Sequence, residues 1–369
     1  MALSIRSICT GKTARAALLG LCAIAVAACG TPQQKPGAPY HHTTNGFRNP
    51  PDSPVRNSWT DRAGWLFSRI WAFAGTAEAS ALPPNHVMPR DESLAQFKAL
   101  EGQDTVTWIG HMTALLRLEG KTVLTDPWLT DYATPIPPLG PKRIIPPAFD
   151  FGDLPKIDIV VLSHSHFEHL DLRTIRRLPG KEDIIAVVPL KLGHYFTEAG
   201  YGRVIELDWH ETTDIDGIEI TALPVIHWSK RSLFRTNDTL WAGFAIETAS
   251  GRRIYFGGDA EYGPVYKRVA DREPGFDLAL MSIGAYMPRV VMNGSHCVPE
   301  DCVRIALDLN SHAMVGMHWG TVRLSDEPLA EPAERFAEAA RAAGLGEDRA
   351  WIMRIGETRV LPRRPGASS

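Results

Sequence analysis

The chain has 369 residues, is 44% hydrophobic and 22% charged, and carries a formal charge of −3. That balance excludes a disordered chain and gives no electrostatic reason to expect a nucleic-acid partner. Five cysteines in this length cannot build a disulfide scaffold, and the length allows one large domain or two to three smaller ones.

The N-terminus reads as an address. Arg6, Lys12 and Arg15 precede an uncharged, mostly small and apolar run from Ala16 to Ala28, too short to span a bilayer but right for the core of a signal peptide. The run ends Val26-Ala27-Ala28-Cys29-Gly30, which resembles the lipobox of bacterial lipoproteins. The resemblance implies a signal peptide over 1–28, a Cys29 lipidated after cleavage, and, with Gly30 in place of Asp, the outer membrane facing the periplasm. An ordinary secretory signal cleaved nearby is the alternative. With Cys29 lipidated, Cys297 and Cys302 could pair in an oxidising compartment, though a separation of five residues leaves the geometry open.

Residues 29–57 are polar and proline-rich, as suits a flexible tether. A helical extension is expected over 58–104. Within it, Trp59, Ala63, Leu66, Phe67, Ile70, Trp71 and Ala74 recur at helical spacing. Such a helix either packs on the main domain or lies at a lipid interface. From Thr105 to the C-terminus short strands alternate with helices, giving one α/β catalytic unit over 105–369. Strands are expected at Val106–Ile109, Lys121–Thr125, Ile157–Leu162, Ile184–Pro189, Ile218–Val225, Ala242–Thr248, Arg253–Phe256 and Ala313–Met317. Helices are expected at Leu172–Leu178, Pro299–Leu309 and Glu331–Ala343.

The decisive segment is Ser163-His164-Ser165-His166-Phe167-Glu168-His169-Leu170-Asp171, directly after a continuous apolar strand. Three imidazoles leaving one strand end can converge on a metal, and imidazole with carboxylate suits zinc, iron or manganese better than calcium or magnesium. His227, Asp259 and His318 each follow another expected strand. Ligands carried on successive strand ends are what a two-metal hydrolytic site requires.

These features resemble the metallo-β-lactamase superfamily, with its four-layer αββα sandwich and His-x-His-x-Asp-His signature. They resemble most the branch of N-acylphosphatidylethanolamine-hydrolysing phospholipases D. The motifs run through residues 48–362, from Arg48-Asn49-Pro50 and Thr107-Trp108-Ile109-Gly110-His111 through Thr125-Asp126-Pro127 and Gly140-Pro141-Lys142-Arg143. They continue in Ile205 to Trp209, His227 to Arg231, Gly257-Gly258-Asp259, Ile283 to Tyr286, His296 to Pro299 and His318-Trp319-Gly320-Thr321.

The resemblance implies that His164, His166 and His227 hold one metal, that Asp259 bridges, and that His169, His318 and Glu168 hold a second. Glu168 departs from the pattern, which has Asp there, and one extra methylene displaces the carboxylate by about a bond length. The resemblance also places His296 at the reaction centre, a capping or surface role being the alternative. Asp126, Asp171 and His111 are expected to support the ligands rather than bind metal. Lys230, Arg231 and Arg289 could meet a phosphodiester headgroup or form exposed salt bridges. The implied activity is zinc-dependent hydrolysis of a membrane phospholipid, with iron or manganese as alternative metals. A hydrolase of the same fold acting on a small soluble phosphodiester or lactone, and a non-catalytic envelope lipoprotein, are the competing readings.

Overall fold

The computed structural model describes residues 33–56, 82–232 and 235–366. The signal sequence, Cys29 and the Trp59–Ala74 helix lie outside the described residues. Among the described residues, no helix is long and apolar enough to cross a membrane.

Residues up to Arg48 form a unit of their own, in which β1 (His42–Thr43) and β2 (Gly46–Phe47) pair as a small antiparallel hairpin. The second unit starts at Asn49 and holds two seven-stranded sheets. In the first sheet run β3 (Thr105–Gly110), β4 (Thr113–Leu118), β5 (Lys121–Thr125), β6 (Ile159–Val161), β7 (Ile185–Pro189) and β8 (Arg203–Leu207). In the second run β9 (Thr212–Ile215), β10 (Ile218–Leu223), β11 (Gly243–Thr248), β12 (Arg253–Phe256), β13 (Phe276–Ser282), β14 (Ser311–Met317) and β15 (Ala350–Trp351). The chain then returns as β16 (Thr358–Val360) to pair with β3.

Both sheets are built alike. Each begins as an antiparallel meander, β3-β4-β5 in one and β9-β10-β11-β12 in the other. Each continues with parallel strands, β5 to β8 and β12 to β15. The parallel strands need crossovers, and helices supply most of them. On the first sheet, α1 (Arg90–Ala99), α2 (Leu172–Ile175) and α3 (Gly193–Ala199) cover a core of Leu115, Leu124, Phe149, Val160, Ile175 and Phe196. On the second sheet lie α4 (Val265–Ala270), α5 (Arg289–Met292), α6 (Pro299–Asp308) and α7 (Glu331–Ala342). Strands β3, β12 and β13 are buried along their whole length, because helices press on one face and the opposite sheet on the other. This is the αββα sandwich expected.

The expected boundaries need two corrections. Residues 49–56 are no tether. Asn49 Oδ1 accepts hydrogen bonds from the His227 backbone N–H at 3.0 Å and from Trp241 Nε1 at 3.1 Å, and the Arg56 guanidinium lies 3.7 Å over the Trp228 ring. The prolines of this segment fix an extended path along a wall rather than a loose linker. Nor does the main unit begin at Thr105. Helix α1 is sewn to the C-terminal strand by Ser93 Oγ donating to the Gly356 carbonyl at 2.6 Å and by Thr358 N–H donating to Gln96 Oε1 at 2.8 Å.

Candidate metal centre

Several strands that end on one edge of the two sheets deliver site residues there. His111 follows β3, Asp126 follows β5 and the His164–His169 loop follows β6. His227 lies beyond β10, Asp259 beyond β12 and His318 directly after β14. The edge is closed by backbone bonds between the sheets, His318 N–H to the His111 carbonyl at 3.1 Å and Ala242 N–H to the Ser163 carbonyl at 3.0 Å. Two glycines permit this closeness. A Cβ on Gly258, which has φ +56°, would meet Ser163 Cβ at 2.5 Å, and one on Gly284 would meet the His318 carbonyl oxygen at 2.2 Å.

Hydrogen bonding dictates which ring nitrogens are bare. Ser163 Oγ donates to Asp126 Oδ2 at 2.5 Å, so at 2.8 Å it accepts from His164 Nδ1, which leaves His164 Nε2 without a proton. His227 Nδ1 donates to the Ser295 carbonyl at 2.7 Å, leaving its Nε2 bare as well. Both point at His166 Nδ1, from 2.8 and 3.3 Å. His169 Nδ1 faces Asp126 Oδ2 at 2.6 Å, and its Nε2 lies 3.1 Å from Asp259 Oδ2. His318 Nε2 lies 3.1 Å from Asp259 Oδ1, which also accepts from Ser282 Oγ at 3.0 Å.

This arrangement fits a metal pair. Lone pairs and a carboxylate crowd together within a buried space, and several of their atoms have no hydrogen-bond partner: His166 Nε2, His169 Nε2, Asp259 Oδ2, His296 Nδ1 and both nitrogens of His318. Orphaned buried polar atoms are rare unless something binds them. The donor atoms of His164, His166, His227 and Asp259 lie within 4.8 Å of one another, as do those of Asp259, His296 and His318. Asp259 Oδ2 stands at the centre, 3.8 Å from both His164 Nε2 and His227 Nε2 and 3.9 Å from His296 Nδ1.

The electrostatics follow from that crowding. Burial, reinforced by neighbouring imidazoles, pushes His164 and His166 well below the usual histidine range. Burial does the same to His227 and His296, against the pull of Asp259. His169 goes the other way: burial opposes its charge, but Asp259 and Asp126 prevail and raise it. Asp259 itself is held well below the carboxylate range, because His169, His318 and His296 outweigh its burial. Neutral imidazoles and an ionised carboxylate are the forms in which such side chains bind a transition metal.

Most expected site residues are therefore brought together, with three differences. Glu168 belongs to none of the donor groups; it is half-buried, and desolvation raises its carboxyl pKa. In its place His111 joins His169 and His318, the donor atoms of all three lying within 4.8 Å. Arg289 forms the internal salt bridge that was its alternative and acts as a strut: its guanidinium donates to Glu261 Oε2 and the His296 carbonyl, both at 2.6 Å, and to Asn293 Oδ1 at 3.1 Å. Lys230 is half-buried and has no hydrogen bond or ion pair among the described residues. The pairing left open by the sequence is made, Cys297 and Cys302 being disulfide-bonded with their Cα atoms 5.8 Å apart.

Fold and site together place a candidate metal centre on an αββα sandwich, and the chain belongs to the metallo-β-lactamase superfamily: the β-lactamase superfamily domain profile matches residues 121–319, more than half of its length. An uncharacterised protein of Mycobacterium tuberculosis is 40% identical over 243 residues, 64% of this chain. The match spans 63% of that relative, under two thirds of its length. A mitochondrial N-acyl-phosphatidylethanolamine-hydrolysing phospholipase D of Saccharomyces cerevisiae is 34% identical, over 68% of this chain and 55% of its own. A phospholipase D of the same description from Caenorhabditis elegans is 36% identical, over 63% and 68%. Among solved structures, an isothiocyanate hydrolase from Delia radicum gut bacteria shares the fold with a TM-score of 0.56, at 21% identity over 70% of this chain and 99% of that one.

Proposed function

We propose that the protein hydrolyses N-acylphosphatidylethanolamine in the manner of a phospholipase D, releasing an N-acylethanolamine and leaving phosphatidic acid. The observation that carries this reading is the pair of relatives that bear this activity in their names and match at 34 and 36% identity. The surface beside the metal centre suits such a substrate. A cavity of about 350 Å3 opens next to the histidine loop, lined by Phe167, Leu172 and Tyr195 and by Arg173, Arg176 and Arg231. Apolar walls with guanidinium groups match an acyl chain joined to an anionic phosphodiester. Arg231 lies 4.5 Å over Phe167 and 5.3 Å from the Tyr195 ring centre, so cation–π contact holds it there.

His164, His166 and His227 would hold one metal, Asp259 would be shared, and His169 and His318 would contribute to the second; zinc is the metal we propose. When bound, the pair supplies a water of lowered pKa and positive charge for the phosphodiester oxygens. The chain's own part is orientation and proton placement. Asp126 fixes the His169 and Ser163 side chains, and Ser295 fixes the His227 tautomer. His296, nearly buried and neutral, presents Nδ1 toward Asp259, from where it can hydrogen-bond a phosphoryl oxygen or the leaving alkoxide.

The lipobox at Cys29 suggests that the enzyme is lipid-anchored at the outer membrane, facing the periplasm, where a diacyl substrate resides. Mass spectrometry of products tests the activity, with vesicles containing N-acylphosphatidylethanolamine compared against a soluble diester and a lactone. N-acylethanolamine and phosphatidic acid from the vesicles alone are expected. Turnover of the soluble compounds alone would replace this reading with that of a small-molecule hydrolase.

A further inference from the structure

The centre contains one imidazole beyond those that the resemblance assigns to a metal or to the reaction centre. His111 is buried, and neither ring nitrogen has a hydrogen-bond partner. Its ring lies 3.9 Å from that of His318 and 5.3 Å from that of His169, centre to centre. An imidazole that has lost its water and found no partner is unfavourable unless something else takes its lone pair.

The backbone around His111 is built to hold it. Its φ is +54°, a left-handed conformation a side-chain-bearing residue adopts only where neighbours enforce it. Three hydrogen bonds do so: His111 N–H to Thr321 Oγ1 at 3.0 Å, and Trp108 Nε1 and His318 N–H to its carbonyl at 2.9 and 3.1 Å. His318 also has a left-handed φ, +67°. The two strained residues are thus locked to each other, and the rings meet as a consequence.

We propose that His111 is a metal ligand, closing the second position with His169, His318 and the shared Asp259, and that Glu168 is not. Glu168 belongs to none of the donor groups, whereas an imidazole from the end of β3 completes one with His169 and His318. Each position would then offer three imidazoles, with the Asp259 carboxylate 3.1 Å from both His169 Nε2 and His318 Nε2, a set that suits zinc far better than magnesium or calcium. The inference rests on the reading of this cluster as a metal centre and not on the phospholipid substrate, so it can fail while that activity stands.

The experiment measures metal per chain in the full-length protein, stripped with chelator and reloaded with zinc or cobalt(II). Wild type is expected to take up about two ions and His111→Ala about one, with Glu168→Gln retaining about two and the wild-type cobalt spectrum. Two ions in His111→Ala, one in Glu168→Gln, or one in wild type would each overturn the proposal. Should His111→Ala not fold, zinc titration of wild type labelled with 15N in its imidazoles gives the answer directly. A large shift of a His111 ring nitrogen on binding the second ion is expected, and an unmoved one refutes the assignment.

Discussion

The two sheets contribute to the centre in opposite styles. The first gives most of its share in one stretch, Ser163 to Asp171, and seals it with Asp126, which alone engages Ser163 and His169. The second gives His227, Asp259, His296 and His318 one at a time, from separate connections. Each must be positioned by its own support: Asn49 and Ser295 for His227, Ser282 for Asp259, Arg289 for His296, His111 for His318. A contiguous cluster needs one anchor, whereas a dispersed one needs several. The comparison teaches where the site is fragile.

The largest effect is expected at Asp259, whose carboxylate joins both the donor group of His164, His166 and His227 and that of His296 and His318. Asp259→Asn removes the charge that offsets the surrounding imidazoles. Activity should fall by at least about 10^3-fold, equivalent to roughly 4 kcal/mol of barrier, with metal lost from both positions. Retention of one tightly bound ion would mean that the contiguous half stands alone, which sharpens the comparison rather than blurring it.

A pH dependence comes next. His86 packs 4.3 Å from the Trp319 ring, centre to centre, beside Gly320, and burial lowers its pKa to about 4. The folded chain therefore keeps His86 neutral where the unfolded chain begins to protonate near 6.5. Its contribution is fully present above that pH and is lost as pH falls toward 4, by up to about 3 kcal/mol. Urea unfolding of wild type should weaken over this window, and His86→Gln should flatten the slope. An identical slope in the variant would shift the effect to the histidines of the metal centre.

Asp126→Asn tests the single anchor of the first sheet. A support of this kind is worth about 10- to 100-fold in metal affinity, and the loss should fall on the position held by His169, which loses its charged partner. Equal weakening of both positions would show that Ser163, and through it His164, depends on Asp126 just as strongly.

The same contrast explains what the sequence reveals. The His164–His169 cluster is legible because its spacing is local, and the parallel core strands because they are unbroken apolar runs. Strand β13 escapes because Asp277 interrupts its run, yet this buried carboxylate only accepts from the backbones of Arg253 and Arg364 at 2.7 Å. Strand β4 escapes because the turn before it carries no glycine at its tip; His111 adopts the left-handed conformation instead. That substitution also hides the residue's role. Nothing local distinguishes a histidine in a tight turn from one whose ring meets His318, which is 207 positions further along. The Arg289 strut is illegible for a similar reason, since its partner Glu261 is fixed only once α5 returns to the end of β12. The segment from Asn49 misleads through composition alone, its prolines serving a wall as well as they would a linker.

The smallest expected effect concerns the disulfide, which reinforces the dispersed half. Cys297 follows His296 directly, and its N–H donates to the carbonyl of Ala260, next to Asp259, at 2.8 Å. Cys302 lies on α6, which packs against the second sheet. The bond thus ties the His296 loop to a rigid helix, while Arg289 holds the same loop at the His296 carbonyl. Closing so short a loop restricts the unfolded chain only modestly, and the double variant Cys297→Ser, Cys302→Ser should lose about 2 kcal/mol of stability. Metal uptake by His164, His166 and His227 should be unchanged, since none of their supports passes through the cysteines. Turnover should fall with little change in KM, because a looser His296 affects the reacting group more than substrate binding. Full activity after reduction would mean that Arg289 alone positions His296, and a combined Arg289→Ala variant should then expose the loss.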